Sequence, residues 1–121
     1  QLFRIIGSTT YPATEEYLRE WISRHVRRSF LPAGGARQLL AIAASGDRTE
    51  AVKRIKVPTL VLHGDEDPLL HVKCGRATAR AITDGGGRAE LEIVHGMGHD
   101  FPVELLPGLA GRIAAFCAAH H

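Results

Sequence analysis

The sequence predicts an α/β chain: helices and loops through its first half, then a strand-helix-strand-helix unit with two parallel strands. Three observations carry this. Apolar residues return at helical spacing in the first half, and the period then changes at a short apolar run without alternation, Thr59-Leu60-Val61-Leu62-His63. A second short run follows, in which Ala89, Leu91 and Ile93 alternate with Glu90 and Glu92.

The helical period begins at Thr14, which can cap, with Glu15 and Glu16 suited to the positive end of the helix dipole. Tyr17, Leu18, Trp21, Ile22, Val26 and Phe30 return on one face, and Glu20, Arg24, Arg27 and Arg28 take the other. The basic cluster from Arg24 to Arg28 reads as a solvated face with a Glu20 to Arg24 pair rather than as an anion site. After Leu31-Pro32-Ala33-Gly34-Gly35 a second helix is expected over about Ala36 to Ser45, stopped by Gly46. Asp47-Arg48-Thr49-Glu50 has the pattern of a capping box opening a short third helix.

Pro58 fits only the start of a strand, and the run behind it reads as one buried on both faces, as in a parallel sheet. A helix is expected from about His71 to Thr83, with Val72, Ala79 and Ile82 among its apolar positions, and then a turn at Asp84-Gly85-Gly86-Gly87. The alternating run is a strand with one wetter face, near a sheet edge. A last helix runs from about Pro107 to Ala119 with Leu109, Ile113 and Phe116. The crossover between the strands is expected to be right-handed.

Fifteen basic and thirteen acidic side chains give a formal charge of +2, too small for a nucleic-acid footprint. No apolar run nears the roughly 20 residues that span a bilayer, and the N-terminal residues lack the layout of a signal peptide, so no membrane partner is expected. Cys74 and Cys117 lie far apart on expected helices, which favours a reducing setting, the cytoplasm. The first residue is Gln1 rather than Met, and the expectation is a processed chain or a piece of a longer one.

In open α/β sheets, ligands and catalytic groups gather beyond the carboxyl ends of the strands. Here both ends carry chemistry: His63-Gly64-Asp65-Glu66-Asp67-Pro68 after the first and His95-Gly96-Met97-Gly98-His99-Asp100 after the second. Parallel neighbours point these ends the same way, so a carboxylate among residues 65 to 67 can meet the imidazole of His95 or His99. A carboxylate beside an imidazole fixes its tautomer and stabilises the imidazolium formed when the ring takes a proton. The same four residue types could also hold a metal, and His95 and His99 have the i, i+4 spacing of a helical site. Gly96 and Gly98 argue against a helix there.

The run VPTLVLHGDEDPLL followed by HGMGHDFP resembles the C-terminal part of α/β-hydrolase enzymes. The resemblance implies a partial α/β-hydrolase fold, with a helical cap over residues 1–55 and the end of the hydrolase core over residues 56–121. Residues 6 to 48 look like the cap of small carboxylesterases and anthracycline methylesterases. By the same resemblance the acid is Asp67, third after Gly64, and the base is His99, following Gly98. The residues agree on the acid, since Pro68 pushes Asp67 towards an extended backbone that helps hold its carboxylate in one direction. Asp65 and Glu66 lack that restraint and read as solvated turn residues. His95 and His63 read as structural histidines, and His25, His71, His120 and His121 as surface or terminal residues.

The family's nucleophile sits on a Gly-x-Ser-x-Gly elbow, and none of Ser8, Ser23, Ser29 and Ser45 has that context. Cys74 reads as a small packing residue on a helix. The expectation is therefore the C-terminal portion of a serine hydrolase of carboxylic esters, supplying acid and histidine and inactive alone, with no cofactor and no metal. A dehalogenase, an epoxide hydrolase, a cofactor-free peroxidase or a non-catalytic self-associating module are the alternatives. An unpaired edge on the first strand is expected to recruit a second copy, by strand pairing or by exchange of helices.

Overall fold

A computed structural model describes residues 2–120. The helices α1 (Leu2–Ile6), α2 (Glu15–Arg28), α3 (Gly34–Ser45) and α4 (Thr49–Val52) precede β1 (Thr59–Gly64), α5 (Lys73–Asp84), β2 (Ala89–Val94) and α6 (Leu106–Ala119). This is the expected α/β order, consistent with a partial α/β-hydrolase fold. No helix among the described residues is long and apolar enough to cross a membrane.

The strands pair in parallel from Thr59 opposite Ala89 to Gly64 opposite Val94, so both strand ends emerge side by side. The face carrying His63 lies under α5, where Gly75 brings the helix so close that a Cβ on it would stand 2.8 Å from the His63 ring. The other face carries Glu90 and Glu92, and Arg112 of α6 pairs with both. Ile82 of α5 is fully buried, and Ala79, Ala81, Met97 and Leu109 complete a small apolar core. β1 is half-buried from Thr59 to His63 and buried only at Gly64, rather than buried on both faces throughout, because among the described residues the sheet has two strands and both are edges.

The helical half departs from its pattern more. Thr14 caps α2 as expected, its Oγ1 accepting from the Tyr17 amide at 3.2 Å. Of the apolar face only Leu18 and Trp21 are half-buried; Tyr17, Ile22, Val26 and Phe30 are exposed, because no described residue is packed over them. α3 begins two residues earlier than expected, ends at Gly46 with φ +57°, and leaves Leu39, Leu40 and Ile42 about 70% exposed. The expected capping box does not form. Asp47 Oδ1 accepts instead from the amide and hydroxyl of Thr49, while Glu50 pairs with Lys53 at 2.7 Å. Nor is Cys74 a packing residue: it is exposed, as is Cys117, and neither is in a disulfide.

Candidate active site

The three acids after β1 each take a different partner. Asp65 accepts from His95 Nδ1 and from the Gly96 amide, both at 2.7 Å, and so ties down the start of the loop after β2. Glu66 reaches back to the N-terminal segment, where Oε2 accepts from the amides of Thr9 and Thr10 at 2.8 and 3.0 Å and from the Thr9 hydroxyl at 2.7 Å. Its Oε1 accepts from the Thr10 hydroxyl. Asp67 turns inwards, its side chain only 6% exposed.

Asp67 Oδ2 accepts from His99 Nδ1 at 2.8 Å, while Oδ1 accepts from the amides of Leu69 and Leu70 at 2.9 and 2.8 Å. The carboxylate therefore cannot rotate without breaking two backbone hydrogen bonds. Because the carboxylate accepts, Nδ1 of His99 carries the proton and Nε2 presents its lone pair; no hydrogen-bond partner holds Nε2 among the described residues. His63 braces the same turn, its Nε2–H donating to the Leu70 carbonyl at 2.7 Å and lying 3.9 Å from Asp67 Oδ2.

Electrostatics follow these contacts. Burial pushes the Asp67 pKa up, but hydrogen bonds from the Leu70 amide, His99 and the Leu69 amide outweigh it, and the net shift is downward. Asp65 is lowered chiefly by its hydrogen bond from His95, whose own pKa is raised by the same bond. Glu66 is lowered to about 2, by the hydroxyls of Thr10 and Thr9 first and the amides of the same residues after them.

The loop that presents His99 depends on close backbone approach. Gly96 has φ +73°, in the left-handed region that favours glycine, and a Cβ on Gly98 would lie 2.4 Å from the Ser8 amide nitrogen. Across this contact the His99 amide donates to the Ile6 carbonyl at 2.8 Å, and the Ser8 amide donates to Asp100 Oδ1 at 2.9 Å. The buried Ser8 hydroxyl donates to the Gly96 carbonyl. The segment from α1 to Tyr11 thus forms one wall of the site. His99 lies on a cleft of about 550 Å³, whose other walls come from α2 and from the residues after Asp100.

The structure therefore brings Asp67 and His99 together, as the strand-end pattern anticipates, and keeps Asp65 with His95 as a separate pair. Among the described residues no three His, Cys, Asp or Glu side chains converge on one point as metal ligands would. Glu66 is not a free turn residue. His95 has its partner, although its side chain is 88% exposed. His25 stacks on Trp21 with ring centres 3.8 Å apart. His71 is exposed, and His120 is half-buried against Phe116 rather than on the surface. His121 lies outside the described residues. Two supporting features escaped the sequence reading. Gly75 carried a signal, since a glycine inside a helix costs about 1 kcal/mol and usually marks close packing. The Glu66 contacts to Thr9 and Thr10 had no local signature.

No family model matches the chain. It is similar to a non-heme chloroperoxidase of Kitasatospora aureofaciens, 36% identical over 76 residues, which are 62% of this chain and 25% of that protein. The match thus spans about a quarter of the curated relative. It supports the α/β-hydrolase superfamily and no particular member of it.

Proposed function

We propose that Asp67 and His99 are the acid and the base of a Ser-Asp-His triad in a hydrolase of carboxylic esters, with the serine contributed by residues outside this sequence. The observation that carries the reading is the 2.8 Å hydrogen bond from His99 Nδ1 to a carboxylate whose other oxygen is pinned by two amides. That arrangement leaves Nε2 as the basic nitrogen beside the cleft. Nε2 would take the hydroxyl proton as the serine attacks the ester carbonyl, then return it to the leaving alcohol as the carbonyl re-forms. Asp67 stays ionised throughout, holds the ring in its tautomer and stabilises the imidazolium between the two transfers. Water repeats the sequence to release the acid. In this reading residues 1–55 are the helical cap and residues 56–121 the end of the hydrolase core.

The test compares hydrolysis of p-nitrophenyl acetate by this chain and by a longer polypeptide that continues upstream in the same reading frame. The chain alone gives background rates; the longer one turns over, and His99→Ala abolishes it. Turnover by the chain alone, or turnover indifferent to His99, sinks the proposal.

The similarity to a non-heme chloroperoxidase favours a second reading, a peroxidase that works without haem. Assaying the longer polypeptide for chlorination with hydrogen peroxide and chloride separates the two.

A further inference from the structure

We infer that Asp65 is a positioning residue for His99: by fixing the peptide in front of Gly96, it sets the turn that carries the imidazole to Asp67. The inference rests on the triad reading for the reaction but not for the placement of the ring.

Gly96 is the sharp point of the loop after β2. Its φ of +73° lies in a region that glycine enters as readily as others, so nothing intrinsic to the residue keeps that value. Two side chains keep it instead. Asp65 Oδ1 accepts from the Gly96 amide at 2.7 Å, which orients the peptide before its Cα, and the buried Ser8 hydroxyl donates to the Gly96 carbonyl, which orients the peptide after it. With both planar peptides held, φ and ψ at Gly96 have no freedom left.

Asp65 is itself anchored. Its amide donates to the Val94 carbonyl at 3.2 Å, one step beyond the paired strands, and its Oδ2 accepts from His95 Nδ1 at 2.7 Å. From Gly96 the direction passes to His99 through residues with little room to give. Met97 is 5% exposed, its carbonyl accepts from the Glu66 amide at 3.1 Å, and Gly98 lies against the Ser8 backbone. A different turn at Gly96 therefore moves His99 rather than being absorbed on the way.

The two partners of Asp65 are unequal. Gly96 is buried, so its amide without the carboxylate lacks an acceptor and the peptide must rotate to find one. The His95 side chain is 88% exposed, and water can replace the carboxylate there. The amide bond carries the positioning.

The Nδ1–H of His99 gives a sharp NMR signal only while its bond to Asp67 shields it from exchange with water, so the signal reads the placement of the ring, and His99→Ala assigns it. We expect Asp65→Ala to lose this signal and to speed exchange of the Gly96 amide, with far-UV circular dichroism unchanged. Asp65→Asn keeps the signal, because its side-chain oxygen still accepts from the Gly96 amide, and His95→Ala keeps it as well. In the longer polypeptide Asp65→Ala lowers kcat by on the order of 10²-fold, the cost of a misplacement of about 1 Å, with KM little changed. A signal that survives Asp65→Ala overturns the inference, as does its loss in Asp65→Asn or in His95→Ala. Should Asp65→Ala fail to fold, the other two variants decide by the same signs. The NMR measurements need no nucleophile, so failures separate. A ring set by Asp65 without His99-dependent turnover in the longer polypeptide removes the hydrolase reading alone. His99-dependent turnover indifferent to Asp65→Ala removes this inference alone.

Discussion

Gly64 and Met97 stand so close that a Cβ on the glycine would lie 1.9 Å from the methionine carbonyl oxygen. Backbone meets backbone here, so neither side can rotate away as a flexible side chain would. The contact joins the two strand ends from which Asp67 and His99 follow. Gly64→Ala should therefore destabilise by at least the 1 to 3 kcal/mol, roughly, of an overpacked core. Gly35→Ala, on a helical glycine with nothing within 4 Å, should stabilise by up to about 1 kcal/mol. Urea denaturation of the two variants checks the pair of signs; equal midpoints would show that the strand ends yield freely.

The amides of Leu69 and Leu70 leave Asp67 no freedom to compensate for a changed partner. Asp67→Asn keeps the shape but lets an amide N–H face His99 Nδ1, which then accepts and puts the ring proton on Nε2. In a polypeptide that includes the nucleophile, kcat should fall by on the order of 10⁴ with little change in stability. A fall of only a few-fold would mean that the carboxylate does not set the tautomer.

Residue type and spacing alone bring a carboxylate among residues 65 to 67 to the imidazole of His95 or His99, and the choice of Asp67 and His99 among them came from the resemblance. His99 and Asp67 follow glycines at the ends of two short apolar runs, and parallel pairing alone brings such ends together. Glu66 was illegible for a physical reason: its partners Thr9 and Thr10 lie 57 and 56 residues away and belong to a segment without periodicity. The five-residue α1 escaped as well, being too short to show a repeat. The apolar face of α2 was read correctly as a pattern. A pattern, however, does not reveal whether anything covers it, and Ile22 and Val26 stay exposed.

Glu66 gives the fold a pH dependence whose sign is fixed. Its folded pKa of about 2 lies below the ordinary 4.5, so its contribution is complete above about 4.5 and is lost as pH falls through about 2. Glu66→Gln should flatten the stability curve in that interval and loosen the segment from Gly7 to Tyr11, seen as faster amide exchange at Thr9 and Thr10. Parallel curves for the two proteins would remove Glu66 from the account.

The surface predicts association. A compact monomer of 13.1 kDa is expected to expose about 6,400 Å² by the usual scaling with mass, whereas this chain exposes 8961 Å². The excess, roughly 2,600 Å², is as large as one side of a permanent subunit interface, and much of it is apolar: Leu39, Leu40 and Ile42 on α3, Ile22 and Val26 on α2. Two open strand edges add unpaired backbone groups to the same demand. We therefore propose that the isolated chain self-associates, and light scattering should give a mass that rises with concentration. A double substitution, Leu39→Lys with Ile42→Lys, decides the route. Loss of the oligomer means that the helices carry it, by packing or by exchange between copies, whereas its persistence means that strand edges pair. A monodisperse monomer at high concentration would contradict both routes, because it would require this apolar surface to remain in water without consequence.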